Sequence, residues 1–431
     1  MFRHAVAVLA GLLVLSAAPS SPTPPCDADN GGITLPRGFC AVVFADRVGV
    51  TRHLTVARNG DVYVNLESTD RSDPATTQLR GPRSHGALLV LRDTTGDGRA
   101  DVEVRVEHAG GTGIALNDQY VWISNETSVQ RYPLAPGTIG PAGPATTIIE
   151  GFPRSGHRSR SLTLGDSGTL FVGVGSYSNA CRRARSEARG EEPCSELPVR
   201  AGIWRYDANR SGQKHPEDGT RWGTGIRNPV GLFWNQSLHG LFATMHGRDN
   251  LHVLWPALFT VAQNAEKPSE EFMRVERGQD YGWPYCYHDP ETNRKVLAPE
   301  YGGDGRELGQ CAGKAMPLIG FPAHWGPNAL TFYTGTQFPA RYRGGAFIAF
   351  HGSWNRTPLP EAGYLVAFVP FANGKPAGTF ETFADGFAAG MLEPIMAPHR
   401  PTGLAVGPDG GLYISDDQQG RIWKVVWQGN R

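Results

Sequence analysis

Apolar and polar residues alternate along most of this chain, in short segments separated by glycine-rich turns. The alternation has a period of two, which is typical of β-strands with one buried face. Pairs of such segments flank turns like Asn59-Gly60-Asp61 and Asp409-Gly410-Gly411, where Asn and Gly readily adopt the positive φ angles of tight hairpins. The pattern therefore predicts a series of β-hairpins.

The same hairpin pattern recurs along the chain. Six copies begin at Leu54, Gly113, Ser161, Gly231, Ala329 and Gly403. This repetition favours an all-β fold, a six-bladed β-propeller of four-stranded antiparallel blades, over a pair of β-sandwiches or a barrel, because neither needs a repeated hairpin. We expect residues 26–431 to form one propeller, with an excursion around residues 247–328, where the interval between hairpins is widest.

The N-terminus predicts export. A basic start precedes an apolar run from Ala5 to Ala18 and a Pro/Ser-rich stretch, so residues 1–25 are interpreted as a signal peptide and leader. The run is shorter than the ~20 residues of a membrane anchor, and the prolines before Cys26 disfavour a lipoprotein. We therefore expect a periplasmic or secreted protein without stable membrane insertion.

The cysteines fit an exported protein, because disulfides persist outside the cytoplasm. Many pairings are open, and the most economical one joins neighbours along the chain: Cys26 with Cys40, Cys181 with Cys194, and Cys286 with Cys311. None of them lies in a Cys-x-x-Cys-His motif, and zinc-site spacing is absent. A covalently attached haem is therefore not expected.

The charge balance excludes one class of partner. The chain has 41 basic and 41 acidic residues, so its formal net charge is zero. Without a basic surplus there is no electrostatic attraction to nucleic acid or to an anionic membrane surface. Hydrophobic residues make up 40% and charged residues 19%, which is enough apolar material for a core.

Functional residues of a propeller are expected at one mouth of its central channel, where loops of several blades converge. His157 follows Gly156 just before the third hairpin, and it is a candidate general base, although a surface histidine in a basic loop is the alternative. Arg227 and Asn228 precede the fourth hairpin, and Pro229 restricts the backbone of Asn228. The planar fork of arginine suits a carboxylate or a quinone oxygen.

Further candidates follow the fourth hairpin and surround the last two. The turn at Gly247 and Arg248 can present backbone carbonyls, which Ca²⁺ accepts as ligands. Trp325 is suited to cover a planar cofactor, while Arg356 and Arg400 are suited to neutralise its acid groups. Cations, Trp and His at equivalent places on different blades together favour a flat, anionic ligand.

One acidic turn has two interpretations. The segment from Asp93 to Asp101 resembles an oxygen-rich calcium turn, but Thr95 occupies a place where Asp would be the stronger ligand. No glutamate closes a twelve-residue loop there. A glycine-rich hairpin with solvated acidic side chains is an equally good interpretation.

The ordered motifs resemble those of a known family. The segments GHRSRSLTLGDSGTLFVGVGS, GIRNPVGLFW, ERGQDYGWPYC, AFHGSWNR and RPTGLAVGPDGGLYISDD are similar to the glucose/sorbosone dehydrogenases, and the resemblance runs from Leu35 to the C-terminus. These enzymes are six-bladed propellers that use pyrroloquinoline quinone (PQQ) and Ca²⁺. The resemblance implies an oxidoreductase that acts on an aldose, a sorbosone-like aldehyde or a related polyol.

The resemblance also implies roles for single residues. It makes His157 the catalytic base, Arg227 and Asn228 quinone contacts, the carbonyls of Gly247 and Arg248 calcium ligands, Arg400 a partner of a cofactor carboxylate, and Trp325 a ring near the substrate mouth. Two positions depart from the family. Where the family has a cofactor-binding Lys, this chain has only Arg356 or its neighbours. The chain has Gly110-Gly111-Thr112 where soluble glucose dehydrogenases have Gln. The departures favour the L-sorbosone dehydrogenase branch.

The expected function is therefore oxidation of a sugar or sugar-derived aldehyde by hydride transfer to PQQ, with Ca²⁺ as Lewis acid. Such an enzyme passes its electrons to a diffusible or membrane acceptor. Two alternatives keep the propeller: a calcium-dependent lactonase-type hydrolase, and a non-catalytic carbohydrate-binding protein. The lactonase would need several carboxylates at one metal, and few Asp or Glu residues precede the predicted strands.

Overall fold

The computed structural model describes residues 25–69, 85–182, 184 and 187–429 of the chain. Within these ranges the protein is nearly all β. Six sheets, each with four main antiparallel strands, follow one another along the chain, and their first strands contact one another around a central channel. The predicted six-bladed β-propeller is confirmed. The predicted signal peptide lies outside the described residues, apart from Pro25.

The strands of the first half form three blades. Strand β1 (Phe39–Ala45) belongs to the last blade. Blade 1 contains β2 (Val50–Val56), β3 (Val62–Glu67), β4 (Ala87–Arg92) and β5 (Val102–Glu107). Blade 2 contains β6 (Ile114–Leu116), β7 (Tyr120–Ser124), β8 (Ser128–Pro133) and β9 (Thr146–Glu150). Blade 3 contains β10 (Leu162–Leu164), β11 (Thr169–Val174), β12 (Gly202–Asp207) and, after a short β13 (Gln213–Lys214), β14 (Thr220–Thr224).

The second half forms the other three. Blade 4 contains β15 (Pro229–Asn235), β16 (Gly240–Met245), β17 (Glu270–Val275) and β21 (Ile319–Phe321). Between β17 and β21 the chain forms three short strands outside this blade: β18 (Gln279–Asp280), β19 (Cys286–Asp289) and β20 (Arg294–Leu297). Blade 5 contains β22 (Pro327–Phe332), β23 (Ala346–His351), β24 (Tyr364–Val369) and β27 (Glu381–Ala384). Between β24 and β27 lies a separate small hairpin of β25 (Phe371–Ala372) and β26 (Lys375–Pro376). Blade 6 contains β28 (Pro401–Val406), β29 (Leu412–Asp416), β30 (Ile422–Trp427) and β1.

Two blades have more than the four expected strands. The short β13 pairs in parallel with β9 at the edge of blade 2, and β18 pairs in parallel with β14 at the edge of blade 3. Each addition comes from the following blade or loop and covers an outer edge. Sheet edges with unpaired backbone groups are prone to association, so these short strands protect them.

The predicted excursion consists of two insertions, because β17 returns to blade 4 between them. The first insertion carries two short helices, α1 (Leu251–Leu254) and α2 (Val261–Glu266), and the side chain of Thr260 caps α2. The second carries the β19–β20 hairpin, with Lys295 bonded to buried Glu271 at 2.6 Å. Short 3-10 helices lie at Asn30–Gly32, Asp166–Gly168, Pro299–Tyr301, Gly309–Gly313 and Ala340–Tyr342.

The two ends of the chain close the ring. Strand β1 pairs antiparallel with β30, in a register that places Phe39 opposite Trp427. The buried indole of Trp423 in β30 donates a hydrogen bond to the carbonyl of Gly31 at 3.0 Å. Because blade 6 combines strands from both ends, the propeller cannot open at this blade without breaking a full ladder of hydrogen bonds.

Three disulfides join neighbouring cysteines, as predicted: Cys26 with Cys40, Cys181 with Cys194, and Cys286 with Cys311. Among the described residues, no helix has the length and hydropathy of a membrane span.

The antiparallel order of the blades determines which loops meet at the site. Each first strand runs away from one face and each second strand returns to it, so residues before the first strand and after the second lie on the same face. Along the channel, His53 of β2 reaches the carbonyl of Asn328 in blade 5 with its Nε2 atom at 2.7 Å. His53 also lines a cavity of 280 Å³ in the central channel. The first strands of the six blades form its wall, and it lies toward the opposite face.

Candidate active site

His157 is held by a hydrogen bond to the loop after β11. Its ring Nδ1 lies 3.0 Å from both the carbonyl oxygen and the Oγ atom of Ser176. Ser176 Oγ donates its own proton to the carbonyl of Ser178 at 2.7 Å, so both oxygens near Nδ1 are acceptors. The proton of the neutral ring therefore belongs on Nδ1, and Nε2 keeps a lone pair.

The charge state of His157 follows from its surroundings. Burial, with a contribution from the positive charge of Arg227, lowers the pKa of His157 well below its ordinary value. The ring is neutral at pH 7 and can accept a proton. The loop that carries it is held by buried Arg160, whose guanidinium donates to the carbonyls of His157 at 3.0 Å and Pro153 at 2.6 Å.

Gly175 brings His157 close to blade 4. A Cβ atom at this position would lie 2.5 Å from His157 Cβ and 2.9 Å from Asn228 Oδ1. Only glycine leaves room for both neighbours. Asn228 is buried, and its Oδ1 atom has no hydrogen-bond partner in the described part of the chain.

Arg227 is the centre of a buried network. Its Nη2 atom donates to Asn179 Oδ1 and Asp249 Oδ2, both at 3.0 Å, and Nη1 donates to the carbonyl of Gly247 at 2.7 Å. Asp249 also accepts from Asn355 Nδ2 at 2.7 Å. Burial would raise the pKa of Asp249, but hydrogen bonds with His324 and Asn355 and the charge of Arg227 outweigh it, so the pKa is lowered.

Two further titratable groups lie beside this network. Burial lowers the pKa of His246 to about 3, and its Nε2 atom has no hydrogen-bond partner among the described residues. Glu270 accepts hydrogen bonds from the backbone N–H of Gly247 at 2.8 Å and of Gly326 at 3.3 Å. Burial raises the pKa of Glu270 to about 7. A neutral imidazole and a partly protonated carboxyl therefore flank Gly247.

A second charged cluster lies next to the first, because a Cβ atom on Gly326 would lie within 4 Å of both His246 and His351. Asp417 accepts from Arg52 Nη1 at 2.6 Å, and its Oδ1 lies 2.9 Å from His351 Nε2. Arg400 donates from Nε to the carbonyl of His351 at 2.9 Å and from Nη2 to the carbonyl of Gly352 at 3.1 Å. His351, once protonated, contributes to the low pKa of His246, so the two clusters interact electrostatically.

Several members of this site have no role assigned to them in the sequence-based prediction. Asp249, Asp417, Arg52, His246 and Glu270 belong to it, together with Asn179 and His351. A usable signal existed for some of them. Arg52 interrupts the apolar strand β2, and Asp417 follows the last hairpin directly, where loops reach the mouth.

Other predicted residues are placed differently. The ring of Trp325 packs edge-on against Phe350 and Phe380, with centroid distances of 5.4 and 5.9 Å. The guanidinium of Arg356 donates to the carbonyls of Ala265 and Ala323 at 3.1 and 3.0 Å, which fastens its loop to α2. The contacts of Trp325 and Arg356 are thus with other parts of the protein, and they hold the loops that carry these two side chains.

The side chain of Arg248 forms a buried ion pair with Glu300, away from the backbone carbonyl that the prediction uses. The Asp93–Asp101 turn lies outside the site. Asp93 accepts hydrogen bonds from the backbone N–H of Gly96 and Gly98, and Asp101 accepts from Thr94. The turn thus satisfies its own carboxylates, as in the hairpin interpretation.

The residues present fit an anionic, flat ligand with polar atoms. Arg52 Nη2 and Arg400 Nη1 have no hydrogen-bond partner among the described residues, although the other nitrogens of both guanidiniums are bonded. Asn228 Oδ1 and His246 Nε2 are buried and unpaired in the same sense. Buried polar atoms without partners are rare in folded proteins and point to a missing ligand or water.

A metal at this site would depend on backbone oxygens. Within the described ranges, no group of three or more His, Cys, Asp or Glu side chains is arranged to hold a metal. The carbonyl of Gly247 accepts one hydrogen bond and keeps a second lone pair, and the carbonyl of Arg248 accepts none from the described residues. Both oxygens can therefore serve as ligands of Ca²⁺.

The comparison with protein families identifies the group to which this site belongs. The TrAA12-like family matches residues 33–428. The chain belongs to the TrAA12-like family. Among curated proteins, an uncharacterised protein of Borreliella burgdorferi is 27% identical to the TrAA12-like chain over 206 residues, which are 47% of this chain and 48% of that protein. The match thus spans about half the length of that relative.

Solved structures show the same fold over almost the whole TrAA12-like chain. The holo PQQ domain of a pyranose dehydrogenase from Coprinopsis cinerea is 18% identical, with a TM-score of 0.72 and coverage of 95% of this chain and 99% of that one. A calcium structure of a Trichoderma reesei family AA12 protein is 19% identical (TM-score 0.71; 92% and 97% covered). A PQQ-bound aldose sugar dehydrogenase from Streptomyces coelicolor is 15% identical (TM-score 0.55; 94% and 99% covered).

The predicted resemblance is therefore confirmed at the level of fold, because the solved structures similar to this chain include PQQ-containing sugar dehydrogenases. The sorbosone branch and the roles assigned to single residues stay predictions.

Proposed function

We propose that this TrAA12-like protein is a quinoprotein oxidoreductase that oxidises a sugar or sugar-derived aldehyde with PQQ and Ca²⁺. One observation carries the proposal. A neutral imidazole, His157, is anchored through Nδ1 and lies beside a buried arginine and an unpaired amide oxygen at the mouth of the propeller. The structures similar to this chain include PQQ-bound sugar dehydrogenases, which supports the choice of cofactor.

In this proposal the charged residues bind the cofactor. Arg52 and Arg400 bind its carboxylates through the nitrogens that no described residue occupies. Arg227 and Asn228 would contact the quinone, and the carbonyls of Gly247 and Arg248 would hold Ca²⁺. Ionised Asp249 adds negative charge near those carbonyls, which favours a divalent cation. When bound, the quinone with its Ca²⁺ supplies an electrophilic acceptor for two electrons.

His157 performs the proton transfer. Its Nε2 atom takes the proton of the substrate hydroxyl, and the Nδ1–H bond to Ser176 stabilises the imidazolium that forms. An aldehyde reacts as its hydrate, which offers an equivalent hydroxyl. The low pKa of His157 keeps the base unprotonated at neutral pH, so the ring is ready before the substrate arrives.

The remaining parts of the proposal concern the surroundings of the enzyme. We propose export to the periplasm or the medium and electron transfer to a diffusible or membrane acceptor. The sorbosone branch is favoured over the glucose dehydrogenases by Gly110-Gly111-Thr112. The lactonase alternative would need several carboxylates on one metal, and within the described ranges no group of three or more His, Cys, Asp or Glu side chains is arranged to hold one.

Reconstitution tests this function. The purified protein, loaded with PQQ and Ca²⁺, is expected to reduce an acceptor dye in the presence of aldoses or aldehydes. His157→Gln is expected to lower kcat by roughly 10²–10⁴-fold, the usual contribution of general base catalysis. The absorbance titration of the bound quinone should not change, because His157 is assigned to the substrate.

His239→Gln provides the matched control, because this exposed histidine pairs with Asp166 at the far end of the hairpin between β15 and β16. Full activity of His157→Gln would remove His157 as the base. No turnover by the loaded native protein on any sugar or aldehyde would remove the proposed function.

A further inference from the structure

The exits of the second strands in blades 3 and 5 have the same local sequence. Strand β11 ends at Val174 and continues with Gly175-Ser176-Tyr177. Strand β23 ends at His351 and continues with Gly352-Ser353-Trp354. Both exits open on the face that carries the site. A glycine, a serine and an aromatic residue thus recur at structurally equivalent positions.

The two serines anchor these exits. Both are fully buried. Ser176 Oγ lies 3.0 Å from His157 Nδ1, while Ser353 Oγ accepts from the backbone N–H of Ala362 at 2.8 Å. The carbonyl of Ser353 also accepts from the hydroxyl of Tyr364 at 2.7 Å. The aromatic residue after each serine is therefore held on fixed backbone.

The aromatic side chains nevertheless face solvent. Tyr177 is 60% exposed and Trp354 is 48% exposed, and they are the only aromatic residues among the exposed large hydrophobic residues of the described chain. Because both rings lie on fixed loops beside the site, each offers an exposed flat face on which a ligand can stack. The guanidinium of Arg200 lies 5.6 Å from the Tyr177 ring, within the range of a cation–π contact.

Both rings adjoin the candidate active site, at different distances from His157. A Cβ on Gly156 would lie 2.5 Å from the Cα atom of Tyr177, so Tyr177 is next to the loop of the base. Trp354 is farther away. It precedes Asn355, which bonds Asp249 at 2.7 Å, and Asp249 bonds Arg227 at 3.0 Å. Blade 4, which carries Arg227, lies between the two rings.

We propose that Tyr177 and Trp354 form a carbohydrate-binding rim, in which Tyr177 stacks on the reacting sugar ring and Trp354 stacks on the next ring of an oligosaccharide. The inference rests on the proposed function, and it narrows the substrate class from single sugars to chains of two or more. Pyranose rings have apolar C–H faces and hydroxyl edges, so an amphipathic aromatic ring suits them. A small free aldehyde would leave Trp354 without a contact.

Binding measurements on the full chain without quinone test the rim apart from turnover. Titration calorimetry compares glucose, cellobiose, cellotriose and maltotriose. Trp354→Ala is expected to raise the dissociation constant of the better-bound trisaccharide roughly tenfold, because stacking of one aromatic ring is worth about that factor. The dissociation constant of glucose should stay unchanged. Tyr177→Ala is expected to weaken glucose and the trisaccharide by the same factor.

Trp354→Phe keeps a flat ring and should restore most of the affinity, while Trp354→Leu, which is apolar but not flat, should not. The native protein should change its tryptophan fluorescence on binding a trisaccharide, and Trp354→Phe should lose that change. Met316→Ala is the control, because Met316 is 44% exposed and precedes the outer strand β21. It should bind all four sugars like the native protein.

The outcomes separate the rim from the chemistry. The assignment of a second sugar ring to Trp354 is overturned if Trp354→Ala weakens the binding of glucose as much as that of the trisaccharide. It is also overturned if Trp354→Ala changes the binding of neither sugar. If none of the four sugars binds, the proposed rim is also overturned. Chain-length-dependent binding without dye reduction by the loaded protein would support the rim and remove the proposed oxidation.

Discussion

Gly175 shows how one residue determines the geometry of the site. Its missing side chain lets His157 approach Asn228, and a Cβ would lie within 3 Å of both residues. The prediction of His157, Arg227 and Asn228 from the sequence relied on local signals: a glycine before the histidine and a proline after the asparagine. The space that Gly175 leaves open has no such signal, because it depends on two loops from different blades.

We predict that Gly175→Ala lowers kcat/KM at least tenfold. The added methyl group has to displace His157 or Asn228, because backbone and Cβ atoms cannot yield as a flexible side-chain end can. Overpacking of this kind typically costs about 1–3 kcal/mol of stability. Gly313→Ala is the matched control, since nothing lies within 4 Å of a Cβ there. Equal kinetics for both variants would contradict the close approach.

At the scale of elements, the loop after β11 supplies several of the residues that hold the site. Between Ser176 and Arg200 it supplies Ser176 to His157 and Asn179 to Arg227. The Cys181–Cys194 disulfide closes this loop next to Asn179. The pairing was predictable because the cysteines are neighbours along the chain, but nothing in the sequence connects the pair with Arg227.

We predict that replacing Cys181 and Cys194 by Ser weakens quinone binding. Without the crosslink, Asn179 holds Arg227 and Asp249 less firmly, so the dissociation constant should rise several-fold. The double variant Cys26→Ser/Cys40→Ser is the matched control, because its cysteines are 14 residues apart and those of the Cys181–Cys194 pair are 13 residues apart. The control disulfide ties β1 to the N-terminal segment. Loops of this size are worth roughly 3 kcal/mol in the chain-entropy treatment, so both variants should lose similar stability.

Absorbance titration and thermal unfolding of both double variants measure the two effects separately. Weaker quinone binding is expected only for the pair beside Asn179. An equal change in affinity for both variants would mean that the disulfide acts through general stability alone.

Across the molecule as a whole, several buried histidines make stability depend on pH. Burial lowers the pKa of His53, His108, His215 and His351 to about 4, and of His246 to about 3. Their ordinary value is near 6.5, so the unfolded chain binds more protons below that pH, and stability falls as pH decreases. Glu270, with its pKa raised to about 7, and His324, with its pKa raised, oppose this trend.

Because the lowered groups outnumber the raised ones, we predict that the melting temperature decreases by at least several degrees between pH 7 and pH 4.5. Differential scanning calorimetry across this range measures the change. His215→Gln should reduce the pH dependence, because His215 is buried between Tyr206 and the carbonyl of Val199, outside the candidate site. A melting temperature that stays constant or rises toward pH 4.5 would contradict the prediction.

Short-range patterns were sufficient to predict the propeller, the disulfide pairing and the local candidates His157, Arg227, Asn228 and Arg400. Strand alternation, hairpin turns and neighbouring cysteines can all be read within a few residues, and each blade repeats the hairpin. The folded ring was needed to show that Asp249 bonds Arg227, that Asp417 joins Arg52 to His351, and that Tyr177 and Trp354 are exposed at strand exits on the same face. These residues are far apart along the chain, and they meet because closing six blades into a ring brings all their loops to one face.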